Sequence, residues 1–145
     1  MVTIEMVVPH SLIEYIAPNI AEHYAQMTKS DEYGVPDMDW DGYIQASING
    51  QLVAIALKDS GQFVGYVVFS ICRNQRYKDR VEAYSEGFFV EQPYRSEWSA
   101  LLLKAAINEL KAMGIAEAQF IIDDDNLGRW FAMNGGKNTY QVWSF

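Results

Sequence analysis

Chemistry other than packing has little to work with in this sequence. Cys72 is the single cysteine among 145 residues, so no internal disulfide can form. A lone thiol suits a reducing compartment, and a cytoplasmic location is the expectation. Cys72, His10 and His23 are too few to assemble a zinc site, so no metal is expected. Positive charge is scarce too, with 11 basic against 19 acidic residues and a net charge of −8. A protein that neutralises nucleic-acid phosphates needs a basic patch, and none is evident, so no nucleic-acid partner is expected. The acidity serves solubility, and it would also draw a cationic acceptor or a basic protein partner. No apolar run reaches the roughly 20 residues of a membrane span. The opening, MVTIEMVVPHSLIEY, lacks the basic n-region of a secretion signal. Internal repeats, low-complexity tracts and linkers are missing as well, which points to a single domain over 1–145.

Core-forming material, by contrast, is plentiful: 50% of residues are apolar and 14% aromatic, which excludes a disordered chain. Val2 to Val8 alternates as a first strand, closed by Pro9. Ser11 is placed to cap a helix from about Leu12 to Met27, with Ile13, Ile16, Ile20 and Tyr24 along one side. Thr28 to Pro36 is a loop, and Asp37 to Ile48 carries Trp40, Tyr43, Ile44 and Ile48 at helical spacing. Leu52 to Leu57 and Phe63 to Ile71 are strands joined at Asp59-Ser60-Gly61, and a third strand returns over Arg80 to Val90. Ala118 to Ile122 is a short strand, Leu127 to Met133 a brief helix led by Asn126, and Thr139 to Phe145 a final strand. The order is βααβββαβαβ, an α/β (α+β) domain.

The stretch around which the rest is arranged is EGFFVEQPYRSEWSALLLKAAINELKAMG, Glu86 to Gly114. Glu86 to Val90 is a compact strand, and Pro93 breaks it. Ser96 reads as the N-cap, Glu97 suits the positive helix end, and Leu101, Leu102, Ala105, Ile107, Leu110 and Met113 recur at helical spacing up to Gly114. A strand that enters a helix through a tight turn gathers backbone N–H groups at one point, where an anion such as a diphosphate can sit.

Strand, turn and long helix at the centre of a mixed sheet, followed by a strand, an Asn-led helix and a last strand, resemble the GNAT superfamily of acyl-CoA N-acetyltransferases. The resemblance covers nearly the whole chain. FFVEQPYRSEWSALLLKAAINELKAMGI is similar to the family's acyl-CoA-binding segment, DDDNLGRWFAMNGGKNTYQVW to the segment after it, and GYVVF at Gly65 to Phe69 to its third strand. The family's turn reads Gln or Arg, two residues, Gly, one residue, Gly or Ala. Arg95 and Ala100 match its ends, and Trp98 stands where the first Gly is expected. A turn this degenerate is similar to those of divergent members in bacteriophage and prophage genomes.

What the resemblance implies is a GNAT-like, mostly antiparallel sheet flanked by helices, with acetyl-CoA as co-substrate and an amine acceptor attacking it directly in a ternary complex. The backbone of Phe89 and Val90 would hold the pantetheine arm where central strands splay apart. Amides from Ser96, Glu97, Trp98, Ser99 and Ala100 would hold the diphosphate, with Arg95 nearby. Asn126 would bond the pantetheine or order the far wall, and Trp130 and Phe131 would pack beside the cofactor. Glu86 is the candidate general base, since a neutral amine must lose a proton on acylation. Alternation puts it on the face of Phe88 and Val90, where burial would suit it to proton transfer. Glu82 is the reserve. The family's thiolate acid is often a Tyr in the Asn-led helix. LGRWFAM has none, and Tyr140 is the nearest phenol.

Remaining residues carry plainer expectations. His10 and His23 are read as partly exposed, Trp40 and Tyr43 as core or pocket wall, and Cys72 as structural. Asp123 to Asp125 lack the spaced ligands of a calcium loop and are read as a cap. The acceptor pocket is expected between the first two helices, the 28–36 loop and the last strand's end, and Asp31, Glu32, Asp37 and Asp39 would favour a cationic amine. The alternative is a catalytically inactive protein on the same fold, which binds another protein through its acidic surface.

Overall fold

Two strands buried along most of their length meet at Ser60 and Gly61, whose φ of 50° and 83° make the tight turn that a right-twisted hairpin requires. That hairpin, β2 (Leu52–Asp59) and β3 (Gln62–Arg73), is the middle of a five-stranded sheet ordered β1-β2-β3-β4-β5. β1 (Val2–Val7) and β4 (Val81–Val90) pair antiparallel on either side, and β5 (Glu117–Gln119) adds to β4 in parallel. This is a computed structural model that describes residues 1–26, 34–122, 125–139 and 145. The expected final strand, Tyr140 and the acidic pairs Asp31–Glu32 and Asp123–Asp124 lie outside the described residues.

Helices cover both faces. On one, α3 (Arg95–Ala112) lays Leu102, Ala106 and Leu110 against Val53, Ile55, Leu57, Val67 and Phe69. On the other, a 3-10 turn (Pro9–Leu12) and α1 (Ile13–Ala25) set Leu12 and Ile16 on Ala54, Ala56, Tyr66, Val68 and Phe89. α2 (Trp40–Ile48) contributes Trp40 and Tyr43 to that second core, as the core reading of those two rings requires. α4 (Asp125–Met133) follows β5 and is anchored through rings: Phe131 lies 4.7 Å from Phe120, and Phe120 lies 5.5 Å from Phe69.

The elements arrive in the order expected, with shifted ends. Ser11 does not cap α1: its hydroxyl donates to the Val8 carbonyl at 2.6 Å inside the 3-10 turn. α2 begins three residues later than the apolar spacing suggests, because the Asp39 carboxylate accepts from the Gly42 amide at 3.0 Å and so caps the helix there. β5 spans three residues, shorter than the Ala118–Ile122 expected. β3 runs two residues past the Ile71 expected, so Cys72 lies within it, exposed and opposite Glu82.

Candidate functional site

β4 and β5 share three rungs, Glu82–Glu117, Ala83–Ala118 and Tyr84–Gln119, and then part. β4 continues six residues further, to Val90, without β5 beside it. Among the described residues nothing pairs with that side of β4 past Tyr84, and the bare β4 edge and the chain from Phe120 to Ile122, which leads on to α4, bound a wedge. Backbone groups turned to an open strand edge can take a new extended partner.

Which groups face that edge follows from register. The Glu91 amide donates to the Val64 carbonyl at 2.9 Å, so Glu91 faces β3. Strand alternation then turns the amide and carbonyl of Phe89 to β3 as well, and those of Phe88 and Val90 to the wedge. Close strand approach at Gly65 agrees: a Cβ there would lie 3.0 Å from the Phe89 oxygen. The Phe89 backbone, expected at the splayed edge, is thus turned to β3, and the Phe88 backbone faces the edge instead. Val90 does face the wedge, but its carbonyl already accepts from Arg95 Nε at 2.6 Å.

A β-bulge interrupts the β3–β4 register between Val68–Gly87 and Phe69–Ser85, which leaves Glu86 as the extra residue. Parity changes across it. Ala83 before the bulge and Val90 after it both join the α3-side core, with Phe88 packed against it. Alternation counted back from Phe88 thus cannot fix the face of Glu86. The side chain is exposed, so the burial expected for it is not found. Glu86 stands two residues past the last β4–β5 rung, at the apex of the wedge.

The reserve candidate, Glu82, is otherwise engaged. It is 6% exposed and accepts from Arg80 Nε at 2.7 Å, Asn74 Nδ2 at 3.0 Å and the Tyr84 hydroxyl at 2.7 Å. These donors, Arg80 foremost, hold its carboxyl well below the usual range, at about 2. A carboxylate so fully bonded is a poor proton acceptor near neutral pH. Arg80 also reaches Glu117 at 2.6 Å and so fastens β5 to β4 at their first rung.

At the other end of the wedge the helical run starts earlier than Ser96. A 3-10 turn, Gln92–Tyr94, passes directly into α3, whose N-cap is Tyr94. The amides of Tyr94 and Arg95 are already taken, by the carbonyls of Glu91 and Gln92. Ser96 and Glu97 are exposed in the first turn of α3, Ser99 is half-buried and Ala100 exposed. Trp98 is half-buried and packs on the α3-side core in line with Tyr94, Leu102 and Ala106, so its indole is part of the helix–sheet contact. The Arg95 guanidinium lies 5.5 Å from the Phe89 ring centre and also donates to the side-chain Oε1 of Gln26, in the turn ending α1. Within α4, Asn126 near its start accepts from Arg129, and Trp130 meets Phe131 edge-on at 5.5 Å.

Sequence reading missed His23. It is 3% exposed, not partly exposed as expected, because its ring stacks on Phe89 at 3.8 Å beneath α1. Its Nδ1 is 3.3 Å from the Tyr66 hydroxyl. Burial lowers its pKa, with Glu22 and Glu91 opposing in part. Tyr15 completes the group, donating to Glu91 Oε1 at 2.9 Å, and burial raises both phenols, Tyr15 and Tyr66. The signal available was position 23 lying seven residues after the apolar Ile16, two helical turns on. His10, by contrast, is exposed and bonds Ser47 Oγ at 2.8 Å.

No protein-family model and no curated protein sequence matches this chain. Solved structures do. An aminoglycoside acetyltransferase from an uncultured soil metagenomic sample superposes with a TM-score of 0.75 at 14% identity, over 100% of this chain and 97% of that one. A predicted acetyltransferase with acetyl-CoA from Clostridium acetobutylicum gives 0.72 at 17% identity, over 100% and 96%. Glucosamine-6-phosphate N-acetyltransferase from Arabidopsis thaliana gives 0.68 at 13% identity, over 100% and 98%. The described residues share the fold of these acetyltransferase structures.

Proposed function

We propose that the protein is an acyl-CoA N-acetyltransferase that moves an acetyl group from acetyl-CoA to a primary amine by direct attack in a ternary complex. The observation that carries this reading is the wedge. β4 loses its parallel partner after Tyr84, and the bared edge at Phe88 and Val90 leads to the start of α3. The same fold elsewhere accompanies acetyl-CoA in the Clostridium acetobutylicum structure, and the other two neighbours carry the names of amine acetyltransferases.

The acyl-CoA arm pairs with the β4 edge, and the exposed first turn of α3 from Ser96 receives the diphosphate. Asn126 and Trp130 form the opposite wall. The acceptor nitrogen attacks the thioester carbonyl carbon; the C–N bond forms, the C–S bond breaks, and the electron pair leaves with sulfur. The nitrogen's surplus proton passes to the Glu86 carboxylate, directly or through one water. Holding amine and thioester together supplies a large share of the acceleration.

Titration calorimetry with acetyl-CoA tests the reading. Micromolar affinity is expected. No heat at millimolar ligand would overturn it and favour the inactive, protein-binding alternative.

A further inference from the structure

The sheet face away from α3 holds an open, shallow cavity of about 550 Å³ that begins at the last β4–β5 rung. Tyr84 and Gln119, the two residues of that rung, line it, with Glu82 beside them. Ala83 between them packs with the α3-side core, so Glu82 and Tyr84 open onto the opposite face. Arg73 at the end of β3 and Arg76 in the connection after it complete the rim. The cavity and the wedge therefore share one rung: an acyl group at the wedge apex and an acceptor in the cavity would meet beside Tyr84.

The charges in this cavity run opposite to those of the molecule. The chain carries −8 overall. Yet among the described residues neither Arg73 nor Arg76 has a carboxylate within ion-pair distance. The one carboxylate in the lining, Glu82, is 6% exposed and already accepts from Arg80, Asn74 and the Tyr84 hydroxyl. A cationic ligand would have to compete with those three donors for the single carboxylate of the lining. An anionic one finds two guanidiniums whose fork of donors fits a carboxylate or a phosphate.

Building on the transferase reading, we infer that this cavity is the acceptor subsite and that it selects a primary amine bearing a carboxylate or phosphate group. Asp37 and Asp39, which suggested a cationic acceptor, are exposed at the approach to α2, and the Asp39 carboxylate is used as its cap.

The test compares thiol release from acetyl-CoA for amines that differ in charge: 2-aminoethyl phosphate against ethanolamine, glycine against glycinamide, and spermidine as the cation. The expected result is a kcat/KM at least tenfold higher for the anionic member of one pair, and which pair responds separates phosphate from carboxylate recognition. Arg73→Gln with Arg76→Gln should erase that preference, chiefly through KM, with acetyl-CoA affinity and thermal midpoint unchanged. A preference for spermidine or for the neutral members, or one that survives the double substitution, overturns the inference. Loss of acetyl-CoA binding by the unaltered protein would remove the transferase reading instead. In that event, or if no amine turns over, calorimetry with 2-aminoethyl phosphate and with glycine decides. Binding of either that the double variant loses upholds the anion site, and no binding of either by the unaltered protein refutes it.

Discussion

Glu82 and Glu86 stand four residues apart on one strand and have opposite circumstances. Glu82 is buried and holds three donors, while Glu86 sits exposed on a bulge at the apex of the wedge. Only the second has room to take a proton from an incoming amine. Glu86→Gln is expected to lower kcat by about a hundredfold, the ordinary scale of general-base catalysis, while acetyl-CoA affinity stays as it was. Unchanged turnover would remove the base assignment. His23 makes a separate prediction about stability. Its pKa is lowered in the folded protein by burial, so the unfolded chain binds the proton more readily. Stability is then full above the unfolded value near 6.5 and declines as pH falls below it, by at most about 1.4 kcal/mol per pH unit for one proton. The thermal midpoint should drop between pH 7 and 5.5, and His23→Phe should flatten that drop. An equally steep decline in the variant would assign it to other groups.

At the scale of the element, α3 is the member on which sequence and fold disagree most usefully. Trp98 occupies a position where the resembling family has glycine, which raised the prospect of an indole in the cofactor's path. Helical phase turns that indole onto the sheet with Tyr94 and Leu102, and the Tyr94 hydroxyl adds a 2.7 Å bond to Asp59 beside the β2–β3 turn. Trp98→Ala should therefore cost about 2 kcal/mol in urea unfolding, less than a fully buried ring would. It should bring no gain in acetyl-CoA affinity; a clear gain would show the indole obstructing the site after all. α2 depends on a different device. It buries no residue completely, so its start leans on the Asp39 cap, and Asp39→Ala should destabilise the protein by about 1 kcal/mol. A thermal midpoint unmoved by that change would show the cap to be energetically idle.

For the whole molecule, the wedge ties stability to ligand, since only the folded chain brings the β4 edge and the start of α3 together. Acetyl-CoA at a hundred times its Kd should add about 2.7 kcal/mol and raise the thermal midpoint accordingly; coenzyme A lacking the acetyl group should do nearly the same. Element order and the central strand-turn-helix unit were legible in the sequence, because apolar spacing and turn residues act over a few positions. Leu102, Ala106 and Leu110 announce their face of α3 by period alone, and Ser60-Gly61 announces its turn. Strand pairing decided the rest. The bulge at Glu86, the outward turn of Phe88 in place of Phe89, the burial of His23 against a ring 66 positions away and the arginine-rimmed cavity all depend on contacts between segments far apart in the chain. A one-residue change of register reverses which side chains and amides face a site, and register is set by the partner strand, not by the strand's own residues.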